Sequence, residues 1–112
     1  MEPKFNLWIE EGGVVVLSAW RVQLLQAIQA TGSITSAAEQ LKVPYRRAWE
    51  KLQEMEQGLG LKLVETAVGG AGGGGAHLTP EGERAIGQFL AFAAGFEQEV
   101  AERYAAAFKP VA

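Results

Sequence analysis

A small, mainly α domain with a little β-structure is the fold class this sequence predicts, from three observations. Apolar residues recur at helical spacing through the middle and end of the chain. Short β-prone stretches flank two glycine-containing turns. Compact helix-start signals stand at Ser18, Ser33, Pro44 and Thr79. With 112 residues, 48% of them hydrophobic and 21% charged, the chain has the size and composition of one globular domain, expected to span 1–112.

The first stretch, "KFNLWIE", alternates, with Phe5, Leu7 and Ile9 on one face. "EEGG" is a turn signal and "VVVL" is β-branched, so residues 4–17 are expected to form a hairpin. Ser18 can cap a first helix whose inward stripe is Trp20 (or Arg21), Leu24, Leu25 and Ile28, with Gly32 as its stop. Ser33 can cap a short second helix, "ITSAAEQL". Pro44 is expected at the first position of a third helix over 44–58, where its missing N–H would be unpaired anyway. There Ala48, Leu52 and Met55 point inward, and Tyr45, Arg46, Arg47, Glu50 and Lys51 stay mostly outside. Trp49, a large aromatic beside that stripe, is expected to be partly buried. Gly58 and Gly60 should end the helix.

"LKLVETA" and "AHLT" read as short strands around a run in which six of the seven residues from Gly69 to Gly75 are glycine. Thr79-Pro80-Glu81 combines a cap, a proline at the first position and an acid near the positive end of the dipole. The last helix is expected from Pro80 to about Phe108. Along it Ile86, Phe89, Ala93, Phe96, Val100 and, one position late, Tyr104 fall near a seven-residue repeat. A stripe that long exceeds what a small domain can cover, so it is expected to join two copies as a homodimer.

Composition narrows the function. The absence of cysteine excludes a disulfide framework, a thiolate metal site and a cysteine nucleophile. His77 is the only histidine and stands beside a strand end, where a structural or solvent-facing role is expected. Neither a metal nor another cofactor is expected, and no nucleophile–base pair suggests an enzyme. No signal-peptide pattern and no membrane-length apolar run occur, which points to a cytoplasmic protein without a membrane partner. The net charge of −3 is unevenly spread: Lys42 to Lys62 holds five bases against three acids, Glu81 to Arg103 five acids against two bases.

Two short helices joined by a tight turn, the second basic on its outer face, suit the major groove of double-stranded DNA. An arginine fork can donate to the O6 and N7 of guanine, while lysine and serine suit phosphates; Arg46, Arg47, Lys51 and Ser33 are the candidates. Ser33 also opens a helix whose first N–H groups could meet a phosphate. The glycine run does not suit a nucleotide-binding phosphate loop, because no lysine lies between Lys62 and Arg84. Between two β-prone flanks it is best placed at a hairpin tip, where glycine allows close backbone approach. The order of elements is that of a winged helix-turn-helix, with an N-terminal hairpin, a Gly-rich wing and a long C-terminal dimerisation helix. A dimerising or adaptor module that keeps this fold without binding DNA is the alternative, favoured by the net charge and the uncharged wing.

"GSITSAAEQLKVPYRRAWEKLQEMEQGLG" followed by "LVETAVGGAGGGGAHLTPEG" resembles the N-terminal DNA-binding domain of the ModE family of molybdate-responsive bacterial transcription regulators. More distantly it is similar to the LysR-type winged helix-turn-helix. The resemblance runs from about Ser18 to the end. It implies a homodimeric transcriptional regulator joined by the last helix and the N-terminal strand. By position, Tyr45, Arg46 and Arg47 would be recognition-helix contacts and Ser33, Thr35 and Ser36 would support phosphate contact. Gly69, Gly70, Gly72, Gly73, Gly74 and Gly75 would form the wing tip. Paired subunits would read half-sites about one helical turn, ~34 Å, apart. Two features depart from the family. No C-terminal oxyanion-binding domain is expected in 1–112, so regulation would come from a separate effector-sensing protein or from concentration. Thr66 and Ala71 stand where the family often has basic residues.

Overall fold

The structure is a computed structural model that describes residues 1–70 and 73–109. Two strands, β1 (Trp8–Glu11) and β2 (Val14–Ser18), form an antiparallel hairpin through Gly12 and Gly13, both at positive φ. Pairing begins at Trp8 rather than at residue 4, and a register shift between Ile9 and Glu10 interrupts the expected alternation. Three helices follow: α1 (Ala19–Thr31), α2 (Ile34–Gln40) and α3 (Tyr45–Leu59). A second antiparallel hairpin of β3 (Val64–Gly70) and β4 (Gly73–Leu78) leads to α4 (Pro80–Ala93) and α5 (Phe96–Ala107).

The caps operate as their residue types require. Ser18 Oγ accepts from Arg21 N–H, Ser33 Oγ from Ser36 N–H and Thr79 Oγ1 from Gly82 N–H, filling helix-start donors. Pro44 is the cap of α3 rather than its first residue. Its ψ of 146° is extended, while its carbonyl already accepts from Arg47 and Ala48 N–H. Gly60 closes α3 in the left-handed conformation, but Gly58 lies inside the helix. A side chain at 58 would overlap Val16 Cγ1, so glycine there serves the packing of α3 on β2.

The core surrounds α1. Leu24, Leu25 and Ile28 are fully buried and meet Ala37 and Ala38 of α2, Ala48, Leu52 and Met55 of α3, Val64, Ala76 and Leu78 of the second hairpin, and Ile86 and Phe89 of α4. Arg21, rather than Trp20, completes the inward face of α1, with only 7% of its surface exposed. Trp49 departs from expectation: 45% of its surface remains exposed. The third helix buries its small and flexible residues and leaves the indole outside.

The helix expected from Pro80 to Phe108 is broken at Ala94–Gly95. Gly95 has φ 86° and Ala94 an extended ψ of 128°, so the hydrogen-bond ladder stops and α5 starts afresh. The unbroken apolar repeat hid this break. Ile86 and Phe89 belong to the chain's own core, whereas α5 buries no residue; Ala93, Phe96, Val100 and Tyr104 are only partly covered.

Candidate nucleic-acid interface

The turn between α1 and α2 anchors the second hairpin. Ala76 N–H donates to the Gly32 carbonyl at 2.8 Å, and Gly75 lies so near that oxygen that a side chain would be in tight contact with it. On the other side, Glu56 of α3 accepts from the N–H groups of Leu63 and Val64 at 2.8 and 3.2 Å. The hairpin root is therefore tied to both ends of the helix-turn-helix. Thr79 adds a third tie by donating to the Lys62 carbonyl. At Gly82 a side chain would collide with the Leu63 carbonyl.

These ties bring Ser33, Thr35, Tyr45, Thr66, Ala67 and Gly75 around one open cleft of about 290 Å³. The start of α2, the start of α3 and the glycine-rich hairpin thus share one side of the molecule. Ser33 is half-buried and its hydroxyl oxygen is engaged by Ser36 N–H, while Thr35 is exposed. Tyr45 is 50% exposed and Arg47 is also on the surface. The Arg46 side chain is 88% exposed and, among the described residues, is held only by Glu50 of its own helix at 3.0 Å. Gly69, Gly70, Gly73, Gly74 and Gly75 fall within the paired strands, where Gly70 faces Gly73; Gly72 lies outside the described residues.

Helical spacing sorts α3 into sectors at about 100° per residue. Tyr45, Trp49 and Glu56 occupy the flank that meets the second hairpin. Arg47, Lys51 and Glu54 occupy the opposite flank, toward α1. Arg46, Glu50 and Gln57 form the outermost line. Lys51 differs from the other cations because its ammonium donates to Glu54 at 3.1 Å, and Glu54 also receives Arg21 at 3.1 Å. Burial raises the Glu54 carboxyl, but the hydrogen bonds from Lys51 and Arg21 outweigh it and hold the group below its ordinary value. Nη1 of Arg21 is buried with no partner among the described residues.

Glu56 and Arg21 are structural contributors that sequence reasoning did not single out as such. No local pattern announces a carboxylate that serves backbone N–H groups seven residues on. Arg21 had a signal, its place on the inward stripe of α1. His77 is exposed as expected. Among the described residues no group of acids and histidine is arranged to hold a metal, and no helix is long and apolar enough to cross a membrane.

Comparison with known proteins agrees with this arrangement. The family described as bacterial regulatory helix-turn-helix protein, lysR family, matches residues 20–83. The chain belongs to that family. This lysR-family chain is 46% identical over 79 residues to the molybdenum-pterin-binding protein MopB of Rhodobacter capsulatus, covering 70% of this chain and 29% of that protein. It is 48% identical over 66 residues to the transcriptional regulator ModE of Yersinia pestis, covering 59% and 25%. These relatives bear out the resemblance seen in the sequence, and the chain spans less than a third of their length. Among solved structures, the CbnR_DBD–DNA complex matches with a TM-score of 0.62 at 21% identity, over 80% of this chain and 97% of that one. The BenM_DBD/benA site 1 DNA complex matches with a TM-score of 0.60 at 22% identity, over 81% and 97%. At that identity the likeness establishes the winged-helix fold. The ModE relative is named a transcriptional regulator and the family model describes regulatory helix-turn-helix proteins, which favours neither an enzyme nor the adaptor alternative.

Proposed function

We propose that the chain is a cytoplasmic transcriptional regulator that binds double-stranded DNA as a homodimer. In this reading α3 enters the major groove and the glycine-rich hairpin lies along the backbone or the adjacent minor groove. The observation that carries it is the shared side: Tyr45 at the start of α3 lines one cleft with Ser33, Thr35 and Gly75, and Arg46 projects from the outermost line of the same helix, with Arg47 exposed on its far flank. Tyr45, Thr35 and Ser36 are assigned to backbone contact, with Ser33 contributing as a cap. The glycines from Gly69 to Gly75 are assigned to close approach through amides rather than charge. Lys51 contributes through the field around the helix, since its ammonium is engaged by Glu54.

The homodimer is assigned to α5 and the end of α4, where Ala93, Phe96, Val100 and Tyr104 lack full cover. Phe5 and Leu7 stand beside Phe96 and Val100 and extend that apolar surface with the N-terminal segment. Two α3 helices would then address half-sites about 34 Å apart. The unit 1–112 is proposed to act as a DNA-binding domain.

Binding to random-sequence duplex at two salt concentrations tests this reading. Affinity should fall steeply as salt rises, because phosphate contacts release counterions. Undetectable binding at low salt, or affinity indifferent to salt, would contradict it.

A further inference from the structure

We propose that Glu50 reads cytosine, acting beside Arg46 on guanine, so that the pair selects a G·C-containing step in each half-site. The inference rests on the duplex-binding reading above and names a residue that determines its specificity.

α3 carries three acids, and two of them have work inside the fold. Glu54 joins Arg21 and Lys51, and Glu56 receives the N–H groups of Leu63 and Val64. Glu50 has no such task. Its side chain is 49% exposed, and its partner is the still more exposed Arg46, one turn earlier on the same helix. An exposed pair of this spacing stabilises a helix by only about 0.3–0.5 kcal/mol. Folding therefore gives little reason for an acid at the most outward point of this helix. Against a polyanion it carries a cost, because it offsets the charge of Arg46.

Base-edge chemistry gives it a role. A carboxylate can only accept, and in the major groove the amino donors are N4 of cytosine and N6 of adenine. Beside adenine N6 lies the acceptor N7, which repels a carboxylate; cytosine presents no acceptor next to N4. Glu50 thus discriminates for cytosine and against adenine. Arg46, held at 3.0 Å from Glu50, is suited to the O6 and N7 acceptors of a guanine in the same or the neighbouring pair. The ion pair places a donor fork and an acceptor side by side, which matches the pattern a G·C pair displays.

Selection from a random duplex pool with the full chain and with Glu50→Ala and Glu50→Gln tests this. The unaltered chain should enrich cytosine at one position near an enriched guanine. Glu50→Ala should lose the cytosine preference by about tenfold, keep the guanine and bind random duplex more tightly. Glu50→Gln should shift that position toward adenine, because an amide can address both N6 and N7. Placing N4-methylcytosine at the selected position should weaken the unaltered chain and leave Glu50→Ala unmoved. An unchanged preference in Glu50→Ala would overturn the proposal. So would joint loss of guanine and cytosine, which would make Glu50 a positioning residue for Arg46. A pool from which the unaltered chain enriches nothing would instead overturn the DNA-binding reading, and this proposal with it. Thermal melting of the variants is expected to stay close to the unaltered chain, since the Glu50–Arg46 pair is exposed and such pairs contribute little.

Discussion

The first half of α3 presents Arg46, Arg47, Glu50 and Tyr45, whereas α5 presents Phe96, Val100 and Tyr104. Both surfaces are open, yet one is built of hydrogen-bonding groups on a helix whose apolar stripe is satisfied. The other is built of apolar groups on a helix that buries nothing. The difference teaches what kind of partner each surface lacks. Polar groups exposed over a complete core are already solvated and give up water only to a polar, charged partner. Apolar groups exposed at helical spacing have no such satisfaction in water and call for a matching apolar face.

Phe89 and Phe96 stand seven residues apart in the sequence, on either side of the break at Ala94–Gly95, and put that contrast to the sharpest test. Phe89 is 3% exposed in the core, so Phe89→Ala should cost about 3–5 kcal/mol of folding stability in chemical denaturation. Phe96→Asp with Val100→Asp should leave the fold of the monomer intact but shift the monomer–dimer equilibrium at least about a hundredfold toward monomer, in sedimentation. That size follows if an apolar interface core is made to bury two unpaired charges from each subunit. Equal loss of folding stability in both variants would erase the distinction between the two regions. Gly82→Ala should cost about 1–3 kcal/mol, because the added methyl meets the Leu63 carbonyl at the joint between the second hairpin and α4.

The smallest effect concerns the polar flank of α3. Glu54 has a lowered pKa in the folded chain, so its contribution to stability is present above its ordinary value of 4.5 and is lost as pH falls through the lowered one. Its side chain is 37% exposed and solvent screens the pair, which limits the contribution to about a few tenths of a kcal/mol. Melting curves of the unaltered chain and Glu54→Gln should differ near neutral pH and converge in acid. A gap that widens in acid would reverse the assignment.

Much of this arrangement was legible in the residues. Ser18, Ser33 and Thr79 cap helices as their hydroxyls and positions indicate, and Ala48, Leu52 and Met55 face inward as their spacing requires. The break at Gly95 was not legible, because a glycine inside an apolar repeat is compatible with either a helix or a hinge until tertiary packing decides. The exposure of Trp49 was hidden for a similar reason. Its size suggests the core, but the space beside α1 is filled by Leu52 and Met55. Of the candidate interface, the outward Arg46 and Arg47 were readable from periodicity. Lys51 and Glu54 are i,i+3 neighbours on α3, but the arrival of Arg21 from α1 at the same carboxylate was not readable from the spacing of one helix.

The central claim is that the outward arginines of α3 grip DNA. It is tested most directly by measuring duplex affinity at one low salt concentration for the unaltered chain and for Arg46→Ala with Arg47→Ala. Both side chains lie on the surface, so the double variant should melt like the parent. It should lose most of its affinity for duplex, and the salt slope should become shallower. A folded double variant that binds duplex as tightly as the parent would contradict the account.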